Sequence, residues 1–335
     1  MKTLDVLRAL VACDSTNPPR KTAAVVERAV GFLRDGGLHV TVTDHDEGCM
    51  SVLATRGSSK ILLNAHLDTV PVAPGWTREP FALTTTSDRA YGLGACDVKG
   101  GAAAMIAAAL ATKGPAALLL TTDEEAGSAT CVKKFLATKP SHELVIVSEP
   151  TRARPVAAHR GVATGLVSFE GKAAHSSQRG GRSAVHSLVE WADTALELAR
   201  ELGDVRFNIG RVEGGEKPNV IAARAEARFG VRPPVEADPR GILRRFGDLA
   251  LSDRGARFEE RFVGPPLRSS AKADVLGLPL AEPVDFWTEA ALFAEAGHPA
   301  LVFGPGDIAQ AHGPDEFVLL EDLDRAFDAY VRVLT

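Results

Sequence analysis

The sequence predicts an α/β protein: a mostly parallel sheet with covering helices, interrupted by an inserted β-α-β-β-α-β segment of ferredoxin-like type. Three observations carry that expectation. Ile61-Leu62-Leu63, Ala117-Leu118-Leu119-Leu120, Leu144-Val145-Ile146-Val147 and Ala300-Leu301-Val302-Phe303 are short, uncharged apolar runs bounded by turn residues, the pattern of strands buried on both faces. Segments of helical period alternate with them, as in α/β folds. Between residues 158 and 263 the alternation gives way to strand, helix, two strands, helix and strand, the ferredoxin-like order.

In chain order, residues 5–13 read as a short helix and Asp14-Ser15-Thr16-Asn17-Pro18-Pro19 as a turn. Residues 21–36 read as a second helix, because Val25, Val26, Ala29, Val30 and Leu33 recur at helical spacing and Gly36-Gly37 follow. Residues 38–66 have the character of strands. The Ala-rich stretch 100–111, with Met105, Ile106 and Leu110, predicts a helix packed on the sheet. Residues 160–170 predict a strand, and 182–202 a long helix with Val185, Leu188, Val189, Ala192, Ala195, Leu196 and Ala199 on one face. Residues 205–212 and 220–231 predict two more strands. In the second, Ala223, Ala225 and Ala227 alternate with Arg224, Glu226 and Arg228, so one face should be solvated. A helix at 239–250 and a strand at 255–263 complete the insert, which Gly264-Pro265-Pro266 closes. The α/β pattern then resumes and ends in a helix from Asp322. The expected organisation is a main domain in two parts, 1–157 and 264–335, around an inserted domain at 158–263.

A chain of 335 residues with 45% hydrophobic and 24% charged side chains is long enough to bury two cores. Its net charge of −5 and lack of any basic run argue against a nucleic-acid partner. No apolar run reaches bilayer length, and Met1-Lys2-Thr3 leads into an amphipathic segment without a signal-like apolar core. Cys13, Cys49, Cys96 and Cys131 are far apart and form no Cys-x-x-Cys. Neither a disulfide framework nor a thiolate zinc site is expected, and the expected compartment is the reducing cytoplasm.

Each of the four apolar runs leads into residues able to bind metal. The first reaches His66 and Asp68, the second Asp123-Glu124-Glu125, the third Glu149, and the fourth His312 through a Gly-Pro-Gly loop. Ligands in parallel sheets gather at the carboxyl ends of the strands, so these groups converge on one edge together with Asp97. In His66-Leu67-Asp68 the two polar side chains share a strand face, and Asp68 can fix the tautomer of a ligating imidazole. The plainer reading is a buried histidine beside an acid. Asp97 precedes Val98-Lys99-Gly100-Gly101 and could equally cap a helix. Three adjacent acids after a buried strand repel one another unless a cation lies nearby; one glutamate could ligate while its neighbour acts as general base. A solvated acidic turn is the alternative. Imidazole and carboxylate donors without thiolates suit a catalytic metal site, here a double one.

These residues resemble the dinuclear-zinc peptidase family that holds acetylornithine deacetylase, succinyl-diaminopimelate desuccinylase, aminoacylase and the glutamate carboxypeptidases. The resemblance lies in Ser15-Thr16-Asn17-Pro18-Pro19, Asn64-Ala65-His66-Leu67-Asp68-Thr69-Val70-Pro71, Gly94-Ala95-Cys96-Asp97-Val98-Lys99-Gly100-Gly101, Thr122-Asp123-Glu124-Glu125-Ala126-Gly127, Ser148-Glu149-Pro150-Thr151 and the His312 loop. It implies that His66 and Glu149 bind one zinc ion, Glu125 and His312 a second, and that Asp97 bridges them, with cobalt able to substitute. It also implies that Asp68 orients His66 and that Glu124 is the general base that later protonates the leaving amine. The insert resembles the family's lid and dimerisation domain, which implies a homodimer. His175 matches the lid histidine that reaches a neighbouring subunit's site, although by itself it reads as a surface-loop residue.

Within the family, Val284-Asp285-Phe286-Trp287-Thr288-Glu289-Ala290 and the segment from Phe303 to His312 resemble the acetylornithine deacetylase branch. Phe207-Asn208-Ile209-Gly210-Arg211-Val212 and Gly92-Leu93-Gly94 are similar to acetylcitrulline deacetylase. Leu93 and Cys96 depart from the wider family's pattern. The expected substrate is a small N-acetyl amino acid, of citrulline or ornithine type, in arginine biosynthesis. Arg232 is the candidate clamp for its α-carboxylate. Asn219 is a further candidate contact, and Glu289, placed near the site entrance, is a partner for the distal amine or ureido group. A desuccinylase, a dipeptidase or carboxypeptidase, and a catalytically dead binding protein are the alternatives. The last conflicts with the presence of Glu124 and all five ligand positions.

Overall fold

The structure is a computed structural model that describes residues 2–46, 48–178 and 180–335. Its largest sheet has six strands in the order His39–Asp46, Cys49–Arg56, Ala116–Thr121, Ile61–His66, Leu144–Val147 and Ala300–Val302. Ile61–His66 runs parallel to Ala116–Thr121 and to Leu144–Val147, which is in turn parallel to Ala300–Val302. Cys49–Arg56 is antiparallel to both of its neighbours. The uncharged runs take the interior: Ala116–Thr121 and Ala300–Val302 are buried at every residue. The polar strand His39–Asp46 takes the exposed edge.

Helix Lys99–Ala111 is buried without interruption from Lys99 to Ala109. A helix apolar on all sides belongs inside a core, and this one packs between helices Thr3–Val11 and Leu320–Leu334 and the sheet. Its small residues permit close approach. A Cβ on Gly101 would collide with Ser148, and one on Gly100 with the carbonyl of Ala95. The C-terminal helix begins at Leu320, two residues before the expected Asp322, with Glu321 and Asp322 in its first turn, where acids favour the helix dipole.

The chain forms two compact units. One comprises the chain up to Ala158 with Arg268–Pro283 and Thr288–Thr335; the other comprises His159–Leu267 with Val284–Trp287. Residues 264–267 and Val284–Trp287 thus cluster with the second unit and Ala158 with the first, whereas the sequence predicts an insert of 158–263 with everything after it in the main domain.

The second unit has a four-stranded antiparallel sheet in the order Arg206–Gly214, Arg224–Arg232, Val162–Glu170 and Ala256–Gly264. With helices Ala184–Leu202 and Pro239–Ala250, its chain order is β-α-β-β-α-β. Ala225, Ala227, Phe229 and Val231 face its core while Arg224 and Arg228 face out, as the alternation predicts. That strand starts at Arg224, because Val220 to Ala223 instead form a loop. The long helix also differs from expectation. Its buried seam is Ala184, Leu188, Trp191, Ala195 and Leu198, whereas Val189 and Leu196 are 58% and 44% exposed. A stripe spaced four, three, four and three residues is the part of a helix that a single sheet can cover. Among the described residues, no helix is long and apolar enough to cross a membrane.

Candidate metal centre

Three parallel strands end side by side, and their register delivers side chains to one edge. Ile61–His66 ends on His66, Ala116–Thr121 runs on to Asp123-Glu124-Glu125, and Leu144–Val147 to Glu149. The fourth contributor comes from a loop: His312 follows the 3-10 turn Ile308–Gln310 with φ of 63°. Asp97 stands just ahead of helix Lys99–Ala111. Val98 is the N-cap residue there, and no side chain caps the helix, so Asp97 does not serve as its cap.

Asp97 instead lies between the two histidines. Its Oδ1 is 3.2 Å from His66 Nε2 and its Oδ2 is 3.4 Å from His312 Nε2. Glu125 Oε1 is 3.3 Å from His312 Nε2, and Glu149 Oε1 is 4.0 Å from His66 Nε2. The five residues expected as ligands are therefore brought together, each histidine with its own glutamate and both with Asp97. His66 is 2% exposed and His312 55% exposed in their side chains, so one end of the cluster is closed and the other opens to solvent.

Hydrogen bonding fixes the His66 ring. Its Nδ1 lies 3.0 Å from the backbone carbonyl of Asp68. A carbonyl only accepts, so Nδ1 carries a proton, and Nε2, which faces Asp97, is the nitrogen that a metal ion could take. The Asp68 carboxylate, expected as the orienting acceptor, is farther from Nδ1 at 3.5 Å. Its Oδ2 accepts from Asn17 Nδ2 at 3.0 Å and from the Glu125 backbone at 3.1 Å.

The three consecutive acids separate. Asp123 is fully buried and turns away, accepting from Ser128 Oγ at 2.6 Å, from the Cys131 backbone, and from the Thr130 backbone at the start of helix Thr130–Ala137. Glu124 and Glu125 face the cluster. Burial pushes the Glu124 carboxyl up to about 8; His66 opposes this, and Glu125, Asp97 and Asp68 add to it. Glu149 is raised strongly by burial and by Asp97. Asp97 moves the other way, because His312 and His66 outweigh its burial. His312 is drawn up to about 10 by Asp97 and Glu125. So many buried carboxylates cannot all be ionised without compensating positive charge. Two imidazole Nε2 atoms turned to one cluster, three carboxylates and no thiolate form a donor set that fits two divalent ions, with Asp97 offering one oxygen to each side.

Of the remaining expected residues, Glu289 lies beside the cluster, where burial and then Asp123 and Glu124 push its carboxyl well above the usual range. Glu289 was placed at the site entrance but is 1% exposed, with its Oε2 accepting from Thr121 Oγ1 at 3.3 Å. It immediately precedes helix Ala290–Glu295, which packs on the sheet, and that packing closes it in. His175, Asn219 and Arg232 belong to the second unit. His175 and Asn219 are exposed on adjoining loops: His175 bridges to Val220, and the Ser176 N–H donates to the Asn219 carbonyl at 3.0 Å. Arg232 ends strand Arg224–Arg232 and is half-buried.

Two supporting residues carried no role in the sequence reading. Asn17 lies within Ser15-Thr16-Asn17-Pro18-Pro19, yet its bonds to Asp68 and to the Thr122 carbonyl at 3.1 Å are purely tertiary. Glu316 gave no periodic signal, and its only mark was its place four residues after His312. Burial pushes its carboxyl up to about 7, against three backbone N–H groups that hold it down.

Comparison with known proteins agrees with this geometry. The family model "Peptidase family M20/M25/M40" matches residues 62–335. The N-acetyl-L-citrulline deacetylase of Xanthomonas campestris pv. campestris is 45% identical, over 99% of this chain and 97% of that protein. The acetylornithine deacetylase of Aliivibrio fischeri is 31% identical, over 90% and 88%. Among solved structures, the M20 family metallo-carboxypeptidase Sso-CP2 of Sulfolobus solfataricus superposes with a TM-score of 0.80 at 18% identity, covering 100% of this chain and 98% of that one.

Proposed function

This chain belongs to peptidase family M20/M25/M40, and from that premise we propose that it is a dizinc amide hydrolase removing the acetyl group from N-acetylcitrulline, with N-acetylornithine as the second substrate. The observation that carries this reading is the joint survival of 45% identity to a citrulline-type deacetylase and a complete ligand cluster with Glu124 beside it.

His66 and Glu149 would hold one ion, Glu125 and His312 the other, with Asp97 shared. Bound there, zinc (or cobalt in its place) supplies a Lewis acid for the amide carbonyl and lowers the pKa of water. Glu124 takes the proton from the attacking water and returns it to the leaving amine; its raised carboxyl suits a group that must both accept and donate near neutral pH. The backbone carbonyl of Asp68 holds His66 Nδ1 and so turns Nε2 to the ion's side, and the Asp68 carboxylate ties the Glu125 backbone in place.

From the second unit, we assign Arg232 and Asn219 to the substrate and His175 to the oxyanion of a partner subunit's reaction. A homodimer through this unit is supported by its open edge strand Arg206–Gly214 and by the exposed Val189, Leu196 and Val212. Four free cysteines fit the cytoplasm, and the product amino acid fits arginine biosynthesis.

The test is kcat/KM for N-acetylcitrulline, N-acetylornithine, N-acetylglutamate, N-succinyl-diaminopimelate and a dipeptide. The acetylated citrulline or ornithine should lead by at least tenfold, about 1.4 kcal/mol. A lead of that size for the succinyl compound or the dipeptide would reassign the enzyme within its family.

A further inference from the structure

The loop that carries Asp97 closes around a buried carboxylate from a distant part of the chain. Glu316 Oε1 accepts from the backbone N–H of Cys96 at 2.8 Å and of Asp97 at 3.0 Å, and its Oε2 accepts from Gly94 at 3.0 Å. The Glu316 carbonyl accepts from Gly92 at 3.0 Å. The residue is 2% exposed, so these N–H groups have no water to turn to. Successive N–H groups pointing into one concavity form an anion cradle, and here the chain fills its own. Gly94 makes the cradle possible: its φ of 79° lies where side chains are disfavoured.

Glu316 also stands four residues after His312, and its position is held on both sides. Asp315 accepts from the Thr77 and Arg78 backbones at 2.9 and 3.2 Å, and strand Phe317–Leu319 pairs antiparallel with Arg89–Tyr91. One side chain thus ties the backbone of Asp97 to the segment that carries His312. The two groups it links face each other at 3.4 Å.

We propose that Glu316 is a positioning residue for the dinuclear centre, setting the Asp97 carboxylate between His66 and His312 through the three backbone N–H groups of its loop. This rests on the reading of Asp97 and His312 as ligands. Ligand geometry at such centres tolerates displacements of only about 0.5 Å, and groups that orient ligands typically govern metal affinity by 10–100-fold. A glutamine at this position presents one acceptor oxygen where the loop offers three donors, and its NH2 group would oppose an N–H.

The experiment measures zinc affinity by competition with a chromophoric chelator, the visible spectrum of the cobalt-loaded protein, kcat and KM, and the melting temperature of the metal-free protein. The proteins are wild type, Glu316→Gln, Glu316→Asp and Arg56→Gln. Arg56 donates to Gly114, Ala109 and Thr112 at the opposite end of the strands, so its loss reports on weakened folding alone. We expect Glu316→Gln to lower affinity for the ion pair 10–100-fold, change the cobalt spectrum, and reduce kcat with KM within about twofold. Glu316→Asp keeps the charge but is a methylene too short to span the loop, so it should fall between. Arg56→Gln should melt lower with wild-type affinity and spectrum. Wild-type affinity and spectrum in a folded Glu316→Gln protein overturn the proposal; if that variant does not fold, the same result in Glu316→Asp does so. A wild-type chain that binds no ion pair overturns the reading of the centre, and this proposal with it.

Discussion

Asp123 and Glu124 are sequence neighbours with opposite fates, and hydrogen bonding makes the difference. Asp123 spends its carboxylate on Ser128 and on the first N–H groups of helix Thr130–Ala137, whereas Glu124 is held among other acids. Replacing Glu124 with glutamine keeps the shape and removes the proton acceptor. Such a protein should keep both ions by elemental analysis and lose about 10²–10⁴ in kcat. A turnover within threefold of wild type would take Glu124 out of the proton path. Asn17 makes a second residue-scale case. It is 1% exposed and donates to Asp68 and to the Thr122 carbonyl. Asn17→Ala leaves a buried carboxylate short of a donor and should cost about 1–3 kcal/mol in urea unfolding. A protein as stable as wild type would show that Asp68 needs no such support.

At the scale of elements, the centre depends on how closely backbone segments pass behind Glu149. A Cβ on Gly304 would sit 2.7 Å from the Glu149 carbonyl and 3.0 Å from its nitrogen, and Gly101 presses on Ser148 from helix Lys99–Ala111. Gly304→Ala should therefore destabilise the protein by about 1–3 kcal/mol through overpacking and reduce metal content by displacing Glu149. Gly31→Ala is the matched comparison. Gly31 is exposed in helix Ala23–Asp35 and a Cβ there meets nothing within 4 Å, so the change should stabilise by about 0.5–1 kcal/mol. Equal effects of the two substitutions in thermal melts would mean that the packing behind Glu149 has slack.

For the whole molecule, the buried acids make metal and stability inseparable. A site that binds ions only when folded adds about 2.7 kcal/mol for each ion present at a hundredfold over its dissociation constant. Chelation should abolish activity and lower the melting temperature by several degrees, and zinc or cobalt should restore both. An enzyme fully active after exhaustive chelation would refute the dinuclear reading. The homodimer has its own check in mixtures of His175→Ala and Glu124→Ala proteins. If His175 serves the partner's site, heterodimers should regain part of the lost activity, whereas proven subunit exchange without recovery would confine His175 to another role.

The sequence by itself determined the strands of the two large sheets, most helices and the chemical character of the edge, but not the small pairing of Phe317–Leu319 with Arg89–Tyr91. Uncharged runs have nowhere to go but a sheet interior, and a run that ends in His66 or Glu149 must deliver that side chain where the strand stops. It also determined the family, through motifs spread over most of the chain. Other features belonged to tertiary structure alone. Periodicity counts apolar positions without knowing what covers them, so Val189 and Leu196 were read into a face that a single sheet leaves open. Proximity to a motif does not reveal depth, so Glu289 was set at an entrance when the packing of its helix buries it. The tautomer of His66 depends on a carbonyl two residues on, and the setting of Asp97 on a carboxylate 219 positions away. Backbone N–H groups are the same at every residue, and only the folded chain decides which side chain reaches them.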